Sequence, residues 1–350
     1  MNFHTFELSY KLSTDDVRIV YNELYNASGQ NYKPNDDCAV FNALQDYGII
    51  IFIKKYKQDE YNHHVLYYRI NPRRVLESHN YIGIFNSKNI DKLIKKFNIL
   101  IKTVSPFLPE FDSCNISRID YCSNVELNDQ AVIDSYINLL KRGYFPSKYT
   151  IKKYKNEKSK RNTLSKNGIT ITGNNGIEVT YYNKYRQLKE KNPKCRYIDN
   201  SKKIIRIEIR CFKKKVRHLT KKFKCTSASS FLKESDIIGR YIFKHHANIF
   251  YGTGDFYKLT DIYAMIDKSS CKKKSKKLMK ELVKSSATHS SLDRAFDILN
   301  FNKSQIKAIL KKFNKIGVSP VVIPRRYEFD TIRNPLDLAL KYSDYDDLCV

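Results

Sequence analysis

Nine consecutive residues, IIRIEIRCF at positions 204–212, constrain the fold most strongly because apolar and charged side chains alternate in them. Successive side chains of a β-strand point to opposite faces of its sheet. The isoleucines therefore share one face and the charged residues share the other: Ile205, Ile207 and Ile209 against Arg206, Glu208 and Arg210. This alternation predicts a strand with one face in a core and the other on a charged surface.

A second stretch, EVTYYNKYRQLKE at positions 178–190, places three tyrosines and a lysine within five residues. We interpret it as a strand that runs into a helix. On the strand, Tyr182 and Lys184 share the polar face with Glu178 and Thr180, whereas Tyr181 points with Val179 towards the core. If the helix begins earlier, Tyr185 becomes the alternative reactive tyrosine.

A third stretch, ISRIDYC at positions 116–122, carries Arg118, Asp120 and Cys122 on one strand face. Together the three stretches would give one sheet surface two carboxylates, several guanidinium groups and a phenol. That combination suits phosphoryl transfer, because cations offset phosphate charge and a tyrosine beside a lysine can attack phosphorus. The alternatives are cross-strand ion pairs on a solvated sheet and simple aromatic packing, since 26 of the 350 residues are tyrosine.

Composition favours a polyanionic partner. The net charge of +28 and the isoelectric point near 9.6 would attract nucleic acid. This is supporting information only, since an AT-rich genome also enriches lysine. Eight cysteines without a CxxC pair, and no secretory signal, predict reduced thiols and a cytoplasmic, intracellular protein. The apolar run GIIIFI at 48–53 is too short to span a bilayer, so no membrane partner is expected.

The rest of the chain alternates strands, hairpins and amphipathic helices. Strands are predicted at the N-terminus and over 47–56, 65–71, 116–125, 168–172, 177–184 and 204–212, and helices over 17–26, 89–103 and 129–142. The expected fold is therefore α+β, with an antiparallel sheet flanked by helices over residues 1–212.

A dense basic segment interrupts this region at residues 141–166. We interpret it as a solvated loop that connects two elements, or as an arm that grips a nucleic-acid backbone through Lys152 and Lys153.

Beyond residue 213 the strand patterns mostly stop, which defines a second, mainly helical domain over 213–350. Helices are predicted over 258–266, 272–283, 291–299 and 303–316. The last two form either a DNA-binding helix-turn-helix over 291–316 or a simple helical hairpin, and the pattern favours the hairpin.

Several short motifs occur in a characteristic order: NPRRVLESHNYIGIF, SPFLPEF, ISRIDYCSNVEL, VTYYNKYRQLKE, IIRIEIRCFKKKVRHL and LKKFNKIGVSPVVIP. This order, from about residue 71 to 324, resembles the replication initiators of rolling-circle plasmids and filamentous phages. The resemblance implies an HUH-endonuclease-like domain that nicks one DNA strand at an origin, single-stranded or in a hairpin. In that family a tyrosine stays joined to the 5′ phosphate, Mg²⁺ or Mn²⁺ is required, and a polymerase extends the freed 3′ hydroxyl. The resemblance also implies a bacterial host, whose replication helicase and polymerase would be partners.

Two departures from the family pattern affect the site. The His-hydrophobic-His strand that binds metal is missing, so metal ligation would rest on Asp120 and Glu208, with His79 as a third candidate. Family members often carry a further tyrosine in the strand before the YNK segment, but here that strand reads GITITG. The candidate nucleophiles are therefore Tyr182, Tyr181 and Tyr185, with Lys184 beside them, and Arg118, Arg206 and Arg210 would contact DNA.

Two other functions stay open. A non-catalytic, sequence-specific DNA-binding protein would keep the fold and the charge without the chemistry. A tyrosine recombinase ranks last because no histidine is followed by arginine at the H-x-x-R spacing. An ATP-dependent mechanism is not expected either, since no GxxxxGK[ST] motif occurs and a phosphotyrosine conserves the bond energy of the phosphodiester.

Overall fold

The computed structural model describes most of the chain, with gaps at its ends and in several internal segments. The described residues are 2–28, 37–58, 61–76, 83–85, 87–127, 130–155, 162–196, 198–250, 254–334 and 338–339.

The fold is α+β, as predicted, and is built on a nine-stranded sheet whose neighbouring strands are all antiparallel. The spatial order of its strands is β2-β3-β4-β1-β5-β11-β10-β9-β6. Two short strand pairs, β7 with β8 and β12 with β13, lie outside it. In chain order the strands are β1 Asn2–Leu12, β2 Cys38–Phe41, β3 Ile49–Gln58, β4 Tyr61–Ile70, β5 Asn115–Glu126, β6 Tyr149–Ile151, β7 Tyr154–Lys155, β8 Asn162–Thr163, β9 Gly168–Gly173, β10 Ile177–Asn183, β11 Ile204–Phe212, β12 Phe256–Tyr257 and β13 Thr331–Ile332.

Helices flank this sheet and make up most of the chain after β11. Their bounds are α1 Thr14–Ser28, α2 Pro72–Leu76, α3 Ile90–Val104, α4 Gln130–Leu140, α5 Lys184–Lys191, α6 Lys213–Lys222, α7 Ala228–Lys233, α8 Ser235–Phe250, α9 Leu259–Lys268, α10 Lys273–His289, α11 Leu292–Ile298 and α12 Lys303–Lys315. Each helix predicted from periodicity is present, and most bounds agree within three residues; the exception is α10, which ends six residues later than predicted, and α1 begins three residues earlier. Its cap is Ser13, whose Oγ accepts the Asp16 amide.

The three alternating stretches form adjacent strands of the sheet, so their apolar side chains share one face and their polar side chains share the other. β11 pairs with β5 on one side and with β10 on the other. The apolar positions of these strands are buried: Ile119, Tyr121, Val179, Tyr181, Ile205, Ile207 and Ile209. They join the helices in one hydrophobic core, and the charged positions occupy the opposite face of the sheet.

This core is continuous across the proposed domain boundary at residue 212. Helix α6 packs against β5 and β11, and α8 packs against β1. Residues from both sides of the boundary belong to one cluster, including Ile209, Val216 and Leu232. The division into two domains stays a prediction, and so does the DNA-binding role of α11 and α12.

The basic segment differs from its prediction as a solvated loop. Tyr149–Ile151 form β6, which pairs with β9 at the edge of the sheet. Tyr154–Lys155 and Asn162–Thr163 pair as a small hairpin. β6 pairs here because the outer side of β9, away from β10, has backbone groups that need hydrogen-bond partners. The side chain of Ile151 also packs against the core.

None of the helices in the described segments combines the length and the apolar character needed to cross a lipid bilayer. The described cysteines are free thiols, as their spacing predicts.

Candidate active site

The strand register brings the predicted polar residues together on one sheet face. Arg210 lies opposite Asp120 on β5 and Glu178 on β10. Glu208, two residues earlier on β11, lies opposite Cys122 of β5 and Thr180 of β10. Arg206, two residues earlier again, lies opposite Asn124 of β5 and Tyr182 of β10. Side chains directly opposite each other on antiparallel strands are within contact distance. The sheet face therefore holds the carboxylates, guanidinium groups and phenol that the sequence predicts.

Tyr182 lies at the centre of this cluster and is only partly exposed. Its hydroxyl donates a hydrogen bond of 2.6 Å to Oε1 of Glu208. Arg206, which is fully buried, hydrogen-bonds the same tyrosine and donates from Nε to Oδ1 of Asn124 at 2.7 Å. Burial and the charge of Glu208 raise the pKa of Tyr182 well above 10. The resting phenol is therefore neutral and already bonded to a group that can accept its proton.

Lys184 is the first residue of α5 and not the last residue of the strand, which corrects the expectation that it extends the polar face of β10. The helix begins here because the Asn183 side chain accepts the Arg186 amide as a cap. Lys184 is nevertheless close to Tyr182, with its Nζ 6.0 Å from the ring centroid. It is 3% exposed and donates to Gln187 at 2.9 Å.

The environment of Lys184 changes its chemistry. Burial, followed by the positive charge of Arg206, lowers the pKa of Lys184 from 10.5 to about 7. Lys184 is therefore not a fixed cation, because its ammonium and amine forms coexist near a pKa of about 7, and burial raises the pKa of Tyr182. Such a lysine exchanges protons at neutral pH.

Asp120 is held in a network of arginines. Its carboxylate accepts hydrogen bonds from Arg118 and from Arg210, the latter at 3.0 to 3.2 Å. Burial would raise the pKa of Asp120, but the hydrogen bonds and charges of these two arginines outweigh it and lower the pKa below 3.8. Arg118 also contacts Glu7 at 2.9 Å, and Arg210 contacts Glu178 at 2.9 Å. This ion-pair network fixes the strands next to the tyrosine.

His4 also belongs to this cluster, which side-chain alternation did not predict. The register between β1 and β5 shifts between Phe3 and Thr5, so His4 is an extra residue in the strand. Burial, then the charge of Arg206, lowers the pKa of His4 to about 4, and Lys184, Glu208 and Asp120 also act on it. The sequence contains a sign of this extra residue. Phe3 and Phe6 are both buried but lie three positions apart, whereas side chains on one face of a regular strand lie two or four apart.

Tyr154 of the basic segment also reaches this face, which the sequence did not indicate. Its hydroxyl donates to Thr170 Oγ1 at 3.2 Å, and Thr170 in turn accepts from Thr180 at 3.3 Å. Lys152 lies 5.7 Å from the Tyr154 ring and 3.7 Å from Glu178. Lys153 is exposed to solvent.

The other two candidate tyrosines lie elsewhere. Tyr181 is 3% exposed and packs in the core, as strand alternation predicts. The ring of Tyr185 lies 6.0 Å from the ammonium of Lys189 and 5.9 Å from that of Lys202, on the outer side of α5. Of the candidate tyrosines, Tyr182 is therefore the one whose hydroxyl is bonded to a carboxylate of the polar face.

The described residues do not fit a divalent cation. No three histidine, cysteine, aspartate or glutamate side chains among them group as metal ligands. The carboxylate of Asp120 is occupied by arginines, and Glu208 accepts from Tyr182. His79, the third predicted ligand, lies outside the described residues. The metal requirement implied by the family resemblance stays a prediction, and no step below depends on a metal.

No family model, curated protein or solved structure matches this chain.

Proposed function

We propose that this chain is a rolling-circle DNA replication initiator that nicks and rejoins one strand at an origin through Tyr182. The observation that carries the proposal is the Tyr182 hydroxyl bonded to Glu208 at 2.6 Å, with the guanidinium of Arg206 and the titrating amine of Lys184 beside it. The strong positive charge of the chain supports DNA as the substrate.

In the proposed step the phenolic oxygen of Tyr182 attacks phosphorus and its proton passes to Glu208. The new bond joins Tyr182 to the 5′ phosphate, and the bond between phosphorus and the 3′ oxygen breaks. Lys184 in its protonated form gives the leaving 3′ oxygen a proton, which a group with a pKa of about 7 can do at neutral pH. Bond number is conserved, so the reverse reaction rejoins the strand without an energy source.

Charge is the second contribution of the site. The phosphorus carries additional negative charge in the transition state, and fixed cations in a water-poor site stabilise it strongly. Arg206 suits this role because it is fully buried and held by Asn124. Arg118 and Arg210 are already paired with carboxylates, so we assign them to positioning the strands.

The substrate would be an unpaired strand or the loop of a hairpin at the origin. Tyr182 is partly buried on a sheet face, and a phosphodiester within a duplex cannot approach it as closely as one in a single strand. The released 3′ hydroxyl would prime a host polymerase, with a host helicase opening the duplex. Lys152 lies 3.7 Å from Glu178 of this face, and Lys152 and the exposed Lys153 are proposed to contact the strand.

One observation favours a second candidate, a non-catalytic protein that binds a specific DNA sequence. The pKa of Tyr182 is raised, and no group of metal ligands occurs among the described residues. A protein of this kind would hold DNA on the same charged face without a covalent intermediate.

Covalent trapping separates the two candidates. The purified protein is incubated with origin-region oligonucleotides and Mg²⁺ or Mn²⁺, digested, and analysed by mass spectrometry for a nucleotide-linked peptide. We expect the adduct on Tyr182, its loss in Tyr182→Phe, and retention in the matched control Tyr185→Phe. An adduct on another tyrosine would overturn the assignment of Tyr182, and activity that survives EDTA would overturn the metal requirement. Specific binding without any adduct would support the non-catalytic function.

A further inference from the structure

A cleft of about 900 Å³ lies at the end of the polar sheet face, between β1, β5 and the helices α6 and α7. It is separate from the cluster around Tyr182. Its lining includes four permanent cations and two histidines but no carboxylate: Lys11, Lys213, Arg217, Lys221, His63 and His218. Of the described residues, no aspartate or glutamate pairs with Lys11, Lys213, Arg217 or Lys221. Four like charges around one cavity repel one another, and a bound anion would offset this repulsion.

Helix α6 adds to this positive field. It begins with three lysines, Lys213 to Lys215, and has neither an acidic residue in its first turn nor a side-chain cap. The amino end of a helix carries a partial positive charge, so lysines there are unfavourable without an anion. Since Lys213 lines the cleft, the helix end and the cleft cations act on the same space.

The floor of the cleft is apolar. Val65, Ile116, Val216 and Phe231 line it and are at most 9% exposed. At the rim, the ring of His63 stacks on that of Tyr56 with centroids 5.3 Å apart. A bare phosphate needs no such floor, whereas nucleobases gain from apolar and aromatic surfaces while their phosphates contact cations. The cavity volume is in the range of small-molecule sites and admits a few nucleotides, but not a duplex.

The cleft and the candidate active site lie along the same face of the sheet. Ser9 and Lys11 follow Glu7 along the same face of β1, and Glu7 contacts Arg118 of the arginine network at 2.9 Å. A strand that leaves the tyrosine along β1 and β5 would therefore enter the cleft.

We infer that this cleft binds unpaired nucleotides of a nucleic-acid strand, with Lys11, Lys213, Arg217 and Lys221 on the phosphates and the apolar floor beneath the bases. The inference rests on the proposed function for the identity of the strand, and it assigns to the cleft the segment that flanks the cleaved phosphodiester.

The test measures binding and not nicking. A fluorescent single-stranded oligonucleotide of twelve mixed bases is titrated with the full chain in EDTA at several salt concentrations. The triple variant Lys11→Gln, Lys213→Gln and Arg217→Gln is compared with a control of equal charge loss on the exposed face of α3: Lys92→Gln, Lys95→Gln and Lys96→Gln. All six side chains are exposed, so both variants should fold, which circular dichroism checks.

We expect the cleft variant to bind the oligonucleotide at least tenfold more weakly. The slope of log affinity against log salt concentration should decrease in magnitude by about 2, because each of the three lost phosphate contacts on a single strand contributes about 0.7. The control should lose less than threefold. A strand of the same length without bases should bind the wild type more weakly, and duplex or poly-glutamate should compete poorly.

Equal loss in both triple variants would show that only net charge matters and would overturn the inference. Equal binding of the base-free strand, or equal competition by duplex or poly-glutamate, would also overturn it. Equal loss of affinity in the cleft variant and the control, together with a normal tyrosine adduct in the wild type, counts against the cleft alone. Normal cleft binding without any adduct counts against the nicking proposal alone.

Discussion

Replacing Lys184 by methionine tests the physical description of the candidate site most directly. Lys184 is 3% exposed, donates to Gln187, and has a pKa lowered from 10.5 to about 7 by burial and by Arg206. The folded state thus binds fewer protons than the unfolded state between these two pKa values. Stability therefore rises with pH across this window, by up to about 1.4 kcal/mol per pH unit.

The size of the effect follows from the two pKa values. Near pH 7 the lowered pKa costs the folded state about 4 kcal/mol, and near pH 9 it costs about 2 kcal/mol. Lys184→Met has no proton to lose and removes both costs. Between pH 7 and pH 9, the free energy of unfolding of the wild type should therefore increase by about 2 kcal/mol relative to that of Lys184→Met.

Urea unfolding of both proteins at the two pH values measures this difference, and other titrating groups cancel between them. Lys189→Met, an exposed position on the same helix, is the matched control and should follow the wild type within about 0.5 kcal/mol. If the wild type and Lys184→Met keep a constant stability difference over this range, Lys184 is not the buried amine described here, and its role as proton donor fails with it.

Three further predictions test the surroundings of the site. Asp120→Asn leaves two arginines without their buried carboxylate and should lower the free energy of unfolding by about 3 kcal/mol in urea titrations. In the wild type this contribution is complete above pH 3.8 and is lost as the pH falls through the lower pKa of the folded state, so the stabilities of the two proteins should converge in acid. Gly168→Ala would place its Cβ 2.5 Å from the Tyr181 carbonyl oxygen and 2.9 Å from the Tyr182 Cβ, so we expect a loss of about 1 to 3 kcal/mol together with a lower adduct yield, and unchanged thermal unfolding would contradict this packing. Asp293→Asn should raise stability at pH 7 by about 1 to 2 kcal/mol, because burial raises the pKa of Asp293 to about 6 and the carboxylate, which is ionised at pH 7, is less favourable in the folded chain than in the unfolded one. Calorimetry at pH 4, where the native carboxyl is protonated, should show almost no gain.

The strands around the site were predictable because their side-chain period reports burial directly. The alternation in IIRIEIRCF and ISRIDYC places the isoleucines in the core, and β5 and β11 follow these patterns to within a residue. Since alternation also fixes the opposite face, Arg206, Glu208, Asp120 and Tyr182 were expected to share one polar surface, as they do. The burial of Tyr181 follows from the same rule.

Other parts of the site depend on contacts between residues far apart in the chain. His4 reaches the cluster through a bulge in β1, and Tyr154 reaches it because β6 joins the sheet edge. Neither placement can be calculated from local periodicity, since each depends on which strands become neighbours. The cleft beside α6 likewise forms only when β1, β5 and two helices come together.

The amino-acid sequence alone determined the α+β class, the strands, the polar face and the positive charge, because each is a local or summed property of side chains. Tertiary structure alone decided the protonation of that face. Lys184 is predicted from sequence as a cation, and burial beside Arg206 makes it an amine that titrates near pH 7. Asp120 is predicted as a metal ligand, and it is engaged by two arginines from different strands. Both outcomes are set by desolvation and by charges brought close through folding, which no single stretch of the chain contains.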